Sequence, residues 1–165
     1  MDETIRIQRE TVDEHIRHEN AKNWEGVYGT FVHDTGAFYD VVPLNTRFPG
    51  FSGVKGFYEA ANSAFPDFKI DVWGEYDAPG CSVRELTISG THTGDWCGLP
   101  GTGRHVRFQL AGFFIFGSGE QSGKLLAERI YFENETVMRQ IRGEMESSSV
   151  ADFPSPEMTE ARSGD

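Results

Sequence analysis

A carboxylate set in the middle of an apolar strand is the first group in this chain with the makings of chemistry. Residues 37–43 read AFYDVVP, so Asp40 stands among Phe38, Tyr39, Val41 and Val42. Desolvation in an apolar cleft raises the pKa of a carboxyl group, and a strand fixes its position; a general base working near neutral pH needs both. The competing role is local, because an Asp ahead of a proline-containing loop commonly bonds nearby backbone. By alternation Phe38 and Asp40 share one face of the strand and Tyr39 takes the other.

Glu128 raises the same question in LLAERIYF, where Leu126, Glu128, Ile130 and Phe132 fall on one side. A charge in that row needs a partner or a neutral state. Arg84 or Arg107 on neighbouring strands can supply an ion pair; the alternative is a general acid facing Asp40 across a pocket. His92, in GTHTG, lies on the side of Leu86 and Ile88 and reads either as a hydrogen-bonded core histidine or as a proton carrier. Tyr28 can present its hydroxyl to a developing enolate or serve as core, and Trp96 can cover a cavity mouth or staple its loop to the sheet. In EHIRHEN, His15 and His18 have the i, i+3 spacing of a helical metal pair, but both lie off the line from Val12 to Ile16. A solvated helix face is therefore expected there, and no metal site.

These groups have to be positioned by a regular framework. Ile5, Val12 and Ile16 recur at near-helical spacing between Thr4 and Ala21, and Asn23 can cap a second helix in which Trp24, Val27, Tyr28 and Phe31 form an apolar stripe. From Ala37 the period changes to two. A strand over AFYDVV leads into a loop with Pro43, Pro49 and Gly50, then Gly53 and Gly56 precede a short helix, FYEAANSAF, stopped by Pro66. Strands are predicted near 69–77, 81–94, 104–117 and 124–133, joined by glycine-rich turns, with a last helical turn at NETVMRQ. Helices first and an antiparallel sheet afterwards define an α+β domain over 1–145. Residues 146–165, rich in Ser, Pro, Glu and Gly, read as a flexible tail.

Composition narrows the function classes. The 165 residues provide one core, and aromatic residues at 13% supply the material for a large aromatic core or an aromatic cavity. With 26 acidic against 15 basic residues the net charge is −11, which repels phosphate backbones and anionic lipid, so neither nucleic acid nor membrane is expected as a partner. No apolar run approaches the roughly 20 residues of a membrane span, and the N-terminus lacks a signal-peptide pattern; a cytoplasmic location is expected. Cys81 and Cys97 have no CxxC partner and are expected as reduced thiols. Without a GxGxxG, a P-loop or a GxSxG elbow, no organic cofactor is expected.

Three stretches in order, FPGFSGVKGFYEAANSAFPDFKIDV, GTHTGDWCGLPGTGRHVRF and GKLLAERIYF, resemble the SnoaL-like polyketide cyclase family of the nuclear transport factor 2-like superfamily. The resemblance implies a cone-shaped, curved antiparallel sheet packed on the N-terminal helices around a pocket, and a homodimer. It also implies positions for the cyclase chemistry. The acid that follows the GK of the last strand by seven residues falls on Ile130, and the histidine of the preceding strand falls at about Gly112, so that machinery is missing. The order FYDVVP…PGFSGVKGFY is similar to that around the general base of ketosteroid isomerase, which points again to Asp40. The resulting expectation is cofactor-free acid/base isomerisation, cyclisation or elimination of a hydrophobic oxygenated molecule of polyketide, terpenoid or steroid type. Asp40, Glu128, His92 and Tyr28 are its candidate catalytic residues. Phe38, Phe57, Trp96, Phe108, Leu110, Phe114, Ile130 and Phe132 are the candidate substrate contacts. The alternative is a non-catalytic pocket or dimerisation module of the same fold.

Overall fold

The computed structural model describes residues 2–153. Helix α1 (Glu3–Asn20) is capped by Asp2, whose side chain accepts from the Thr4 amide, and α2 (Trp24–Gly29) is capped by Asn23 as its sequence predicts. A six-stranded sheet follows, built from β1 (Phe38–Val41), β2 (Thr46–Pro49), β3 (Lys69–Ala78), β4 (Cys81–Thr91), β5 (His105–Phe116) and β6 (Leu125–Phe132). Helix α3 (Gly50–Ala64) lies between β2 and β3, and α4 (Asn134–Ile141) follows β6. The order across the sheet is β2-β1-β6-β5-β4-β3. Residues 46–49, which read as loop in the sequence, form the edge strand β2. Helix α3 begins at Gly50 and takes in both glycines expected ahead of it. A Cβ at Gly53 would stand 2.5 Å from the Phe48 carbonyl carbon, so glycine is what lets the helix sit against β2.

The sheet is antiparallel at every junction but one. β1 and β6 run parallel, with Tyr39 opposite Glu128 and Asp40 opposite Arg129. Register shifts between Val72 and Gly74 and between Ile115 and Phe116 add bends to a curved sheet. Its inner face carries Leu86 of β4, Leu110 and Phe114 of β5 and Ile130 of β6, and it wraps around Val12 and Ile16 of α1 and Val54, Phe57 and Tyr58 of α3.

Both faces of the sheet have owners. On the outer face, Arg107 of β5 donates to the Val150 carbonyl and pairs with Asp152, while Gln109 donates to the Ala151 carbonyl. The segment expected as a tail from residue 146 therefore starts as a strap across the sheet; residues 154–165 lie outside the described residues. Cys81 and Cys97 are both free, and no helix among the described residues is long and apolar enough to cross a membrane.

Phe114 is fully buried between the sheet and α1, its ring edge-on to that of His15 at 5.6 Å. Phe114→Ala is expected to lower the unfolding free energy by about 3–5 kcal/mol, measured by urea denaturation, the usual cost of emptying a fully buried aromatic site.

Candidate functional site

Between α3 and the inner face of the sheet lies a chamber of about 90 Å³ that opens to solvent at its mouth. Phe57 and Ala61 of α3, with Phe65 just past its end, form one wall; Leu86 and Ile88 of β4, Val106, Phe108 and Leu110 of β5 and Ile130 and Phe132 of β6 form the other. Trp96 closes one end from the glycine-rich loop between β4 and β5. At the other end stand Tyr39, Tyr58, Glu128 and Glu19.

That polar end is one hydrogen-bonded unit. Tyr39 donates to one oxygen of Glu128 at 3.0 Å and Tyr58 to the other at 2.8 Å. His15, fully buried on α1, approaches Thr30 Oγ1 through Nδ1 (2.8 Å) and Tyr58 Oη through Nε2 (3.0 Å). Thr30 spends its only hydroxyl hydrogen on the Val27 carbonyl (2.6 Å), and Tyr58 spends its own on Glu128, so both oxygens can only accept from the imidazole. Both ring nitrogens therefore donate, and His15 is an imidazolium. Burial opposes that charge, but the attraction of Glu19 and the hydrogen bond and charge of Glu128 outweigh it and lift the His15 pKa to about 10. Its Nε2 lies 3.4 Å from Glu128 and 3.5 Å from Glu19.

The remaining members respond to the same charges. Burial raises the Glu19 carboxyl above the usual carboxylate range, against the pull of His15. Burial and the charge of Glu128 push both tyrosines well above the ordinary phenol value, keeping them as donors. His15, Glu19 and Glu128 bring their ligand atoms within 4.8 Å of one another, a grouping that can hold a metal. Here the Nε2 lone pair that a metal requires carries the hydrogen given to Tyr58.

The candidates named from sequence divide sharply. Glu128 is at the chamber, but its cationic neighbour is His15, not Arg84 or Arg107. Arg84 is buried against Asp77 and Asp13, and Arg107 faces outward. Asp40 is on the opposite face. Its carboxylate takes hydrogen bonds from Arg47 (2.7 and 2.9 Å) and Arg129 (2.9 Å), which hold its pKa below the ordinary value, led by the Arg47 bond. Alternation holds along β1, but its inward face is the one that carries Tyr39, so Asp40 does not reach the chamber; nor does Phe38, which lies under the Arg47 guanidinium. Phe114 belongs to the core behind the polar end, away from the chamber. Phe57, Trp96, Phe108, Leu110, Ile130 and Phe132 do line it. Tyr28 packs on Phe51 and Tyr58 outside the lining. His92 sits behind Phe65 with Nδ1 on Thr102 Oγ1 (3.0 Å), and no partner for its Nε2 exists among the described residues.

His15, Glu19, Tyr39 and Tyr58 are not among the sequence candidates. A helix face centred on Ile5, Val12 and Ile16 turns His15 to solvent. The row that is actually buried is Gln8, Val12, His15, Ile16 and Glu19, a regular helical stripe whose polar members conceal it. The positions expected for the cyclase acid and histidine, Ile130 and Gly112, are cross-strand partners, and neither can ionise. The GTHTG…GLPGTGR loop is a structural clamp. Thr93 and Gly94 donate to the Ala64 carbonyl at the end of α3, and a Cβ at Gly94 would overlap the Ser63 carbonyl oxygen. The motif seats Trp96 on the chamber.

A family profile described as SnoaL-like polyketide cyclase matches residues 8–141. Among solved structures, the chain is similar to a candidate SnoaL-like polyketide cyclase from Jannaschia sp. CCS1, with TM-score 0.74 and 18% identity over 86% of this chain and 95% of that one. It is similar to IdmH from Streptomyces antibioticus, a candidate polyketide cyclase (TM-score 0.65, 17% identity, 82% and 98% covered). It also resembles a candidate ketosteroid isomerase from Kribbella flavida (TM-score 0.59, 13% identity, 78% and 79% covered). At these identities the likeness is one of fold. Among curated proteins nothing matches.

The raised pKa of His15 makes a linkage prediction. The folded state keeps the imidazole protonated to about 10, against an ordinary value of 6.5, so its contribution is complete below 6.5 and is lost as pH rises through 10. Unfolding free energy measured in urea is expected to fall across that window in the wild type and to fall less steeply in His15→Gln.

Proposed function

The chain belongs to the SnoaL-like polyketide cyclase family, and from that premise we propose that it catalyses cofactor-free proton transfer next to a carbonyl group of a small hydrophobic molecule, leading to isomerisation, cyclisation or elimination. The observation that carries this reading is a pair of carboxyl groups with unlike surroundings at the end of an otherwise apolar chamber. Glu128 accepts from Tyr39 and Tyr58 and has the His15 cation beside it, which keeps it an acceptor. Glu19 has no such pair of hydroxyls and is raised by burial toward the range where a carboxyl group both takes and returns a proton. Glu19 is the proton carrier in this reading. Glu128 holds His15 and the tyrosines in place and supplies the negative charge that keeps the ring cationic.

The cycle needs no outside reagent. Ionised Glu19 removes a hydrogen from the carbon beside the carbonyl, the electron pair moves onto the carbonyl oxygen as an enolate, and the protonated Glu19 returns the hydrogen to the same or a conjugated carbon. The apolar walls exclude water and orient the molecule. Asp40, ion-paired on the far face of the sheet, has no part in it.

Acetophenone in deuterium oxide tests the reading, since deuterium uptake at its methyl group reports enolisation whatever the later step. Wild type is expected to accelerate uptake above the buffer rate, Glu19→Gln to lose roughly a hundred- to ten-thousandfold of that acceleration, the usual worth of a positioned acid/base group, and Asp40→Asn to keep it. Uptake at the buffer rate with wild type, or unchanged uptake with folded Glu19→Gln, overturns the assignment.

A further inference from the structure

Glu19 is 5% exposed and lines the chamber, where it shares its donors, His15 and Tyr58, with Glu128. The hydroxyls of Tyr39 and Tyr58 go to Glu128, the Nε2 hydrogen of His15 goes to the Tyr58 oxygen, and Glu19 is left with an ion-pair contact of 3.5 Å. The innermost charges are uneven, one imidazolium facing two carboxyl groups; the next cation, the Lys22 ammonium, interacts with Glu19 from outside the chamber lining, so the chamber side of ionised Glu19 meets mainly rings and aliphatic groups. A buried charge of that kind is answered by a proton or by a cation.

The walls suit a cation. Phe57, Tyr58, Phe65, Trp96 and Phe108 present aromatic rings to the chamber, and ring faces attract ammonium groups, most strongly where water is excluded. The chain treats its own ammonium this way nearby: Lys22 Nζ lies 3.4 Å from the centroid of Phe68, bonded to the backbone carbonyls of Phe68 and Glu19. The net charge of −11 draws cations toward the molecule. The chamber volume of about 90 Å³ suits a small body of about one ring.

We propose that the chamber is a binding site for lipophilic ammonium ions, protonated amines on an apolar body of about one ring, with the charge at Glu19 and the body among the aromatic walls. This rests on the chamber as a ligand site and needs no turnover. The bound ammonium takes the place of the proton on Glu19, so such amines also compete with proton transfer there.

Benzylamine and benzyl alcohol, alike in shape and different in charge, are the probes, and titration calorimetry of the full chain at neutral pH is the measurement. Wild type is expected to bind the amine roughly tenfold or more tighter than the alcohol, the equivalent of a desolvated cation–π and carboxylate contact. Glu19→Gln is expected to bring the two affinities together. Equal affinities in wild type, binding of neither probe, or a preference that survives in folded Glu19→Gln overturns the proposal. If Glu19→Gln does not fold, Ala61→Phe, which fills the chamber and leaves its charges alone, must abolish amine binding, and retained binding overturns the proposal equally. Acetophenone exchange separates the two readings: amine preference without exchange keeps the ammonium site and removes proton transfer from Glu19, and exchange without amine preference keeps proton transfer and removes the ammonium site.

Discussion

A carboxylate shut away from water has to be answered at every lone pair, and the placement of Glu128 imposes that demand on the whole fold. The answers come from three elements: Tyr39 from β1, Tyr58 from α3 and the His15 cation from α1, all directed at β6. His15 is itself held by Thr30, at the end of α2. Removing one partner leaves a buried charge unpaired, a far larger penalty than the net worth of the hydrogen bond it made. The rotation of α1 about its axis, the depth of α3 and the parallel seam between β1 and β6 are all consistent with this single requirement.

The sheet separates two kinds of ion pair. Outside, the buried Asp40 joins Arg47 and Arg129, side chains that keep about half and a third of their surface in water. Inside, two carboxyl groups share the His15 cation at the buried end of the chamber. Adjacent residues on β1, Tyr39 and Asp40, and on β6, Glu128 and Arg129, each contribute one member to each side. The strand period of two sorts the charges of the outer face from those of the chamber side.

Much of the architecture is legible in the sequence because it rests on periodicity and turn chemistry. Both N-terminal helices, the long strands β3 to β6 and the chamber-facing row Phe108, Leu110, Ile130 and Phe132 follow directly from alternation and helical spacing. Edge strand β2 is not legible, since TRFP has neither length nor alternation. The site is half legible. Glu128 stands out as a charge in an apolar row, and alternation pairs Asp40 with Phe38, but nothing local says which face of an amphipathic strand meets the core when Tyr39 is as apolar as its neighbours. His15 and Glu19 are hidden by a general rule, that charged helix positions face water, which fails when the charges answer one another. The glycine-rich loop carries the clearest family resemblance, and its work is to seat a tryptophan lid.

The seam between β1 and β6 governs when the site comes into being. Tyr39 and Glu128 are 89 residues apart in the chain, and β6 is the last strand made. Contacts of that separation carry a large loop-closure entropy, which the buried cluster has to offset. Until β6 inserts, the α1 histidine has Glu19 beside it on the helix but no Glu128, and the tyrosines have no acceptor at the chamber floor. A chain ending before residue 125 lacks both Glu128 and the β6 wall, so it cannot build the chamber: the site depends on contacts that span nearly the whole domain.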